Sequence, residues 1–143
     1  MRKNKNRGYQ QLRVWNDAID YYAETCRVFR RFPYELNRVA RQAIASSDSV
    51  HRNIAEGYCR RSIHEYLNFL NIALGSLGES VSGLHAYRES DQLKEEEFEK
   101  LDSMAYKLEN GLSWIPTEAD ASNGILSKTV IVGHSARGDV SKL

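Results

Sequence analysis

The sequence predicts an all-α protein, an antiparallel up-down-up-down four-helix bundle with a flexible C-terminal tail. Apolar residues recur every three or four positions in four successive segments, which is the spacing of one buried helix face. Four amphipathic helices with short connections favour a bundle whose neighbours run in opposite directions. We therefore expect a basic N-terminal arm over residues 1–9, the bundle over residues 10–116 and the tail over residues 117–143.

The first two predicted helices span roughly residues 10–31 and 34–58. Phe32-Pro33 separates them, because the residue before a proline avoids helical angles. The first buried line is Leu12, Trp15, Ile19, Tyr22, Cys26 and Phe29. The buried line of the second helix consists mostly of small residues: Leu36, Ala40, Ala43, Ser47, Val50, Ile54 and Gly57. Gly57 is placed to end this helix in a left-handed cap.

The third predicted helix spans residues 63–89 and opens with a capping-box pattern from Ser62 to Glu65. Its buried line is Ile63, Leu67, Leu70, Leu74, Leu77, Val81 and Leu84, widened by Tyr66, Phe69 and Ala73. Gly75 and Gly78 lie inside this helix, where each glycine costs up to ~1 kcal/mol of helix propensity. They predict a close backbone approach, either within the bundle or at a subunit contact.

The fourth predicted helix spans residues 94–115, and Pro116 closes the bundle. Its buried line is Phe98, Leu101, Ala105, Leu108, Leu112 and Ile115. Three glutamates, residues 95–97, occupy its first turn, where the helix dipole favours negative charge. The tail is predicted to be a mobile extension, and the alternative is that Thr129–Val132 adds as a strand to a partner.

Charge is divided unevenly along the chain. Residues 1–61 hold 13 Lys/Arg against 6 Asp/Glu, a net charge of +7, and residues 62–116 hold 4 against 10, a net charge of −6. A basic half indicates a polyanionic partner. The alternative is that the two halves neutralise each other across the bundle or between subunits.

The remaining composition predicts a cytoplasmic protein without a cofactor or membrane partner. No apolar run approaches eighteen residues, and no apolar segment follows the basic N-terminus. The two cysteines, Cys26 and Cys59, form neither a disulfide framework nor a zinc site. The four histidines lack metal-ligand spacing, and neither paired Glu-x-x-His motifs nor a phosphate loop is present. We therefore expect no metal site and no enzyme.

Five arginines are the candidate nucleic-acid ligands. Arg60 and Arg61 precede the third helix, whose free amides also suit a phosphate. They join three arginines of the second helix in one predicted polyanion surface: Arg38, Arg41 and Arg52. Three tyrosines near them are candidates for stacking on bases: Tyr9, Tyr34 and Tyr58. The alternative is that the arginines are solvated and the tyrosines pack the bundle ends.

A ladder of alternating charge also runs along the second helix. Its members recur every fourth residue: Asp48, Arg52, Glu56 and Arg60. This pattern predicts a solvated row of ion pairs or a subunit contact. Glu56, with Asn53, stands near the helix C-terminus, against the helix dipole. We expect Glu56 to pair with Arg60 or Arg61 and to accept bonds from the following loop or the next helix.

Together these segments resemble the four-helix-bundle proteins encoded in intervening sequences of bacterial 23S ribosomal RNA genes, which are related to accessory variability determinants of diversity-generating retroelements. The resemblance covers residues 9–115. Its matching pieces are Leu12-Arg13-Val14-Trp15, Ala18, Phe32-Pro33, Gln42, Ser49-Val50, Asn53-Ile54-Ala55-Glu56-Gly57, Arg60, Ser62, Glu65-Tyr66 and Phe69 through Leu77. Two departures stand on the second helix: Ile44-Ala45 replaces a common basic pair, and His51 replaces a frequent proline.

The resemblance implies a four-helix protomer, often assembled as a homopentamer. For the retroelement branch it implies a non-catalytic accessory that binds nucleic acid and a reverse transcriptase. The sequence thus predicts a non-enzymatic homo-oligomeric scaffold that binds RNA or DNA through phosphates. The alternative is a scaffold for protein interactions alone.

Overall fold

A computed structural model of the chain describes residues 7–113, which form four α-helices around one core. The helices are α1 (Arg13–Phe29), α2 (Asn37–Cys59), α3 (Ile63–Glu89) and α4 (Glu95–Ser113). Single 3-10 turns at Gly8–Gln11 and Tyr34–Leu36 precede α1 and α2. No strand occurs in this part of the chain, which confirms the predicted all-α class. The predictions for residues 1–6 and 114–143, including Ile115, Pro116 and Thr129–Val132, lie outside the described residues.

Contacts between neighbouring helices occur where antiparallel neighbours would meet. A Cβ added to Gly111 near the end of α4 would lie 2.8 Å from Val14 at the start of α1, while Lys100 pairs with Glu24 nearer the other end. Between α2 and α3, the amide of Gln42 donates to Glu79 at 2.7 Å. At the opposite ends of the same two helices, residues 57 and 69 meet. α1 also contacts α2, and α3 contacts α4, so the four helices form a closed arrangement with the core between them.

The core-facing line of α1 differs from the predicted one. Leu12 and Phe29 are buried as expected, but the residues between them that face the core are Val14, Ala18, Tyr21, Thr25 and Val28. The predicted members Trp15, Ile19, Tyr22 and Cys26 are only half-buried. The observed line is offset from the predicted one by a single residue, and both have helical spacing, so the spacing alone does not choose between them. The hydroxyls of Tyr21 and Thr25 are bonded inside the bundle, the first to Ser80 at 2.7 Å and the second to the Tyr21 carbonyl at 2.8 Å.

The core line of α2 is confirmed apart from Leu36, which is half-buried and lies in the 3-10 turn before the helix. The small residues of this line bring α2 close to α3. Ala40, Ala43 and Ser47 are buried, as are Val50 and Ile54. Gly57 is also buried, but it does not end the helix in a left-handed cap, because α2 continues through Cys59. A Cβ at residue 57 would lie 2.6 Å from the Cβ of Phe69 on α3. Gly57 is therefore required by close helix packing rather than by a turn.

The other two helices follow their predicted patterns closely. Ser62 accepts a hydrogen bond from the Glu65 amide at 3.1 Å and caps α3. Most of the predicted α3 line is buried or packed against the core, and Ser80 is an additional buried member. In α4 all five predicted residues within the described range are buried: Phe98, Leu101, Ala105, Leu108 and Leu112. Within residues 7–113, no helix is long and apolar enough to cross a membrane.

Candidate nucleic-acid interface

The outward side of α2 carries a row of mostly charged residues that we call the α2 outer face. Its members recur at three- and four-residue steps and are Arg38, Arg41, Ala45, Asp48, Arg52 and Glu56. The core residues Ala40, Val50 and Ile54 point to the opposite side of the same helix. All three arginines of this face are exposed. The packing of α2 against α1 and α3 therefore presents these arginines to solvent.

Arg52 is already neutralised by a carboxylate within the protomer. Its Nε donates to Asp48 Oδ2 at 2.5 Å, and His51 Nε2 lies 2.8 Å from Asp48 Oδ1. Burial raises the pKa of Asp48, but the bonds from Arg52 and His51 outweigh it and hold the pKa below its usual range. Asp48 is thus a stable anion, and a phosphate approaching Arg52 would compete with it.

Arg60 is held in the same way just beyond the end of α2. Its Nη2 donates to Glu56 Oε1 at 2.7 Å, and its Nη1 lies 3.9 Å from Glu65 Oε1. The guanidinium also lies 4.9 Å from the ring centroid of Phe69. The structure therefore places Arg60 against Glu56, one of the two pairings expected from the sequence. The expected bond from an α3 amide to Glu56 does not occur, and the Glu65 amide donates to Ser62.

The other three candidate arginines have no carboxylate partner among residues 7–113. Arg38 and Arg41 lie in the first turns of α2, and Arg61 lies in the connection to α3. At 1.5 Å per residue, Arg38 and Arg60 are separated by about 33 Å along the helix axis. The five arginines therefore form a line along α2 rather than one patch, with free charges near both of its ends.

The two oppositely charged halves do not neutralise each other inside the described bundle. Within residues 7–113, one ion pair joins a basic residue of the first half of the chain to an acidic residue of the second half. This pair is the long Arg60–Glu65 contact. The α1–α4 pairs have the opposite polarity: Lys100 with Glu24 at 3.2 Å and Lys107 with Asp17 at 3.4 Å. The first half therefore keeps its positive excess within residues 7–113. Direct ion pairs therefore do little to neutralise the two halves within residues 7–113, and neutralisation between subunits stays a prediction.

The three candidate tyrosines are placed very differently. Tyr9 packs on Trp15, with ring centroids 5.4 Å apart, and on Tyr58 at 6.5 Å. Tyr58 also meets Tyr66 edge-on at 6.0 Å. These two candidates therefore pack one end of the bundle, as the alternative interpretation held. Tyr34, at the opposite end of α2, is 87% exposed.

The residues predicted to have a structural or oligomer role also differ in their surroundings. Asn53 donates to the Ser49 carbonyl at 2.8 Å, which is a bond within α2. A Cβ at Gly75 or Gly78 would meet nothing within 4 Å, so the described bundle makes no close approach there. The predicted approach within the bundle is wrong for these two glycines, and the subunit contact stays a prediction. Ile72, which falls off both apolar lines of α3, is 43% exposed beside them and was missed in the sequence.

No group of three or more His, Cys, Asp or Glu side chains in the described part of the chain is arranged to hold a metal ion. Cys26 is half-buried and Cys59 exposed, and both are free thiols. His85 lies 3.8 Å from Asp102 on α4 and is exposed.

Residues 10–113 match the family model described as 23S rRNA-intervening sequence protein. The chain belongs to this family. Membership of the 23S rRNA-intervening sequence protein family agrees with the resemblance drawn from the sequence, and the relation to retroelement accessories stays a prediction.

One solved structure with a similar fold is that of a protein of unknown function from the S23 ribosomal protein family of Bacteroides thetaiotaomicron. The two chains are 21% identical, and the match covers 73% of this chain and 99% of the other, with a TM-score of 0.65. At this identity the similarity shows the shared fold alone. No curated protein matches the chain.

The two departures from the 23S rRNA-intervening sequence protein pattern both lie on α2. Ile44 packs against the core, whereas Ala45 is exposed on the α2 outer face between Arg41 and Asp48. His51 is half-buried, contacts the Tyr22 ring at 5.5 Å and bonds to Asp48. The absence of a basic residue at position 45 interrupts the positive line, so the free positive charge of α2 is concentrated at Arg38 and Arg41.

Proposed function

We propose that this protein is a non-enzymatic, homo-oligomeric scaffold that binds RNA or DNA through its phosphates. The observation that carries this proposal is the unpaired positive charge of Arg38, Arg41 and Arg61. Guanidinium groups bind phosphate oxygens through charge-assisted bonds, and releasing counterions from the nucleic acid adds free energy. Arg52 and Arg60 contribute less, because Asp48 and Glu56 already accept their bonds.

The family name supports an RNA-linked role, because it refers to intervening sequences of 23S rRNA. The resemblance to retroelement accessories supports a partner that is a nucleic-acid enzyme such as a reverse transcriptase. In such a complex the protein would bind the nucleic acid while the partner enzyme catalyses the reaction. We place the protein in the cytoplasm, where its two free thiols stay reduced.

We propose the outer face of α3 as the subunit contact of the oligomer, with the homopentamer of the resemblance as the expected assembly. Gly75 and Gly78 leave this face flat and open, and Ile72 exposes an apolar side chain next to them. A flat face with little side-chain relief allows the backbone of a second copy to approach closely.

The second candidate function is a scaffold for protein interactions alone. It is favoured by the acidic excess of α3 and α4, which the basic half leaves largely unpaired within residues 7–113. In this case the basic face of one copy would meet the acidic face of the next, and nucleic acid would play no part. High salt would then dissociate the oligomer.

The test is fluorescence anisotropy with a labelled structured RNA over a series of salt concentrations. Arg38→Ala/Arg41→Ala should weaken binding and make the slope of log K against log salt shallower, because each lost phosphate contact lowers that slope by about one. The matched control is Lys100→Ala/Lys107→Ala, which removes the same charge from α4. An equal loss in both variants would show that only net charge matters.

A second pair of variants tests the other end of α2. Arg61→Ala removes a charge that has no carboxylate partner in the described residues, whereas Arg60→Ala removes one held by Glu56 and Glu65. We expect the first to weaken RNA binding more than the second. If the wild-type protein bound no RNA even at low salt, the proposal would fail and the protein-interaction scaffold would replace it.

A further inference from the structure

Tyr34 is the most exposed large hydrophobic side chain in the described part of the chain. It is 87% exposed, compared with 65% for Tyr106 and 43% for Ile72. An aromatic ring is large and apolar, so leaving one almost wholly in water forgoes the free energy that burial would supply. The other two candidate tyrosines are packed among aromatic rings, which leaves Tyr34 available to a ligand.

The backbone beneath Tyr34 is held firmly although its ring is not packed. The residue opens the 3-10 turn Tyr34–Leu36, and the Leu36 amide donates to the Pro33 carbonyl at 2.9 Å. Pro33 restricts its own backbone rotation, and Phe32 packs on Phe29 with ring centroids 4.5 Å apart. The ring of Tyr34 is therefore presented from a fixed position at the start of α2.

The chain on both sides of Tyr34 carries exposed arginines. Arg38 and Arg41 follow Tyr34 by four and seven residues and lie in the first turns of α2. Arg31, three residues before Tyr34, is exposed, and it has no carboxylate partner among residues 7–113. The acidic neighbour in the turn is Glu35, which is exposed. Three exposed arginines and Glu35 flank the ring along the chain, and Glu79 of α3 accepts a bond from Gln42. The unpaired arginines and the ring together suit an anionic ligand with a flat apolar part.

A nucleotide strand with unstacked bases has both of these properties. Its phosphates match the arginines, and its bases offer flat faces that stack on aromatic side chains irrespective of sequence. The bases of a duplex are stacked on each other and cannot lie on an outside ring. Tyr106 cannot serve in the same way, because Asp102 and Glu109 stand one turn away on each side of it and would repel phosphates.

We infer that the α1–α2 end of the bundle binds single-stranded nucleic acid, with an unpaired base stacked on Tyr34 and the flanking phosphates held by Arg38 and Arg41. This inference rests on the proposed function and names its substrate class. It also orders the contacts: the stacking adds affinity for single strands, whereas the arginines bind any polyanion.

The experiment compares three labelled probes of equal length by anisotropy: an unstructured single strand, its duplex and a single strand whose central positions lack bases. Tyr34→Leu removes the ring but keeps an apolar side chain, and Tyr34→Phe keeps the ring. Tyr106→Leu is the matched control on α4, since it removes the other exposed tyrosine ring. Both positions are exposed, so the fold should be unaffected, which circular dichroism checks.

Tyr34→Leu should bind the single strand about five- to a hundredfold more weakly than the wild type, which corresponds to the usual stacking contribution of one base. Tyr34→Phe and Tyr106→Leu should bind it as the wild type does. Binding of the duplex and the base-lacking strand should not change in any variant. The salt slope of Tyr34→Leu should also stay the same, because no phosphate contact is lost.

Unchanged binding of the single strand by Tyr34→Leu would overturn the inference. So would equal loss for the single strand and the base-lacking strand, because that loss would not come from stacking. If the wild type bound all three probes alike with a steep salt dependence, the phosphate-binding scaffold would stand and only the single-strand preference would fail. If it bound none of them, both would fail.

Discussion

The residue type that a position of this bundle accepts depends on the atoms that surround it, and Gly57 is the most direct example. A Cβ there would lie 2.6 Å from the Cβ of Phe69 and 3.1 Å from the Tyr66 carbonyl oxygen on α3. Neither neighbour is the free end of a flexible side chain. α2 and α3 would therefore have to separate to admit even one methyl group.

Gly57→Ala should lower the free energy of unfolding by about 1–3 kcal/mol, because overpacking forces backbone shifts. Gly75→Ala, measured at concentrations where the chain is a monomer, is the matched control, since within the protomer it adds the same methyl group to open space on α3. It should leave stability unchanged or raise it by up to ~1 kcal/mol through helix propensity. Urea denaturation followed by circular dichroism measures both, and equal effects would show that the Gly57 contact is not tight.

The buried hydroxyl of Tyr21 should make stability depend on pH in alkaline solution. Burial raises the pKa of Tyr21 from 10.0 to about 12, against the opposing effect of its bond to Ser80. Below about pH 10 both folded and unfolded chains keep the proton, so the contribution is fully present. Between about pH 10 and 12 the unfolded chain ionises while the folded chain does not, so the free energy of unfolding falls as pH rises.

Tyr21→Phe should therefore show a shallower fall in stability between about pH 10 and 12 than the wild type. Near neutral pH it should cost about 1–3 kcal/mol, because the buried Ser80 hydroxyl loses its partner. Tyr106→Phe, at an exposed position on α4, removes no buried phenol and should reproduce the wild-type profile. Denaturant titrations at several pH values between about 10 and 12 measure the free energy of unfolding of each variant. If it fell equally steeply with pH in Tyr21→Phe and in the wild type, the buried Tyr21 hydroxyl would not be the cause.

At the scale of elements, the helix boundaries that were visible in the sequence are those made by local chemistry. Ser62 caps α3 through the Glu65 amide, and both residues lie within one turn of each other. The predicted buried line of α1 was wrong for the residues between Leu12 and Phe29, because two lines one residue apart have the same helical spacing. The contacts that distinguish them come from distant parts of the chain, such as the bond of Tyr21 to Ser80. A helix's existence is thus a local property, whereas its rotation about its axis depends on its neighbours.

Ser62→Ala should destabilise the protein by about 0.5–2 kcal/mol, because one amide at the start of α3 loses its acceptor. The control is Ser82→Ala, at an exposed position inside the same helix, where alanine has the higher helix propensity. Thermal unfolding should give a lower melting temperature for the first variant only. A lower value for both would show that the serine hydroxyl at position 62 is not what matters.

At the scale of the whole molecule, the open face around Gly78 is the feature that assembly would use. Gly78→Leu should reduce the molar mass toward that of the monomer, because a large side chain would keep a second copy away. Ser103→Leu places the same side chain on exposed α4 and should not change assembly. Light scattering after size-exclusion chromatography measures the mass. A folded Gly78→Leu oligomer of unchanged mass would show that Gly78 faces solvent.

The sequence by itself determined the four helices, their order, the buried lines of α2 and α4 and the family. Each of these depends on the spacing of side chains along one helix or on short sequence motifs, and both can be read from the order of residues alone.

Only the tertiary structure decided which candidates are available for binding. It showed that Glu56 already holds Arg60 while Arg38 is free, that Tyr34 is exposed while Tyr9 is packed, and that Gly57 is a packing glycine. These residues look alike in the sequence, because residue type alone carries no record of the partner. Burial and pairing depend on atoms brought together from distant parts of the chain, and the packing of the helices sets those contacts.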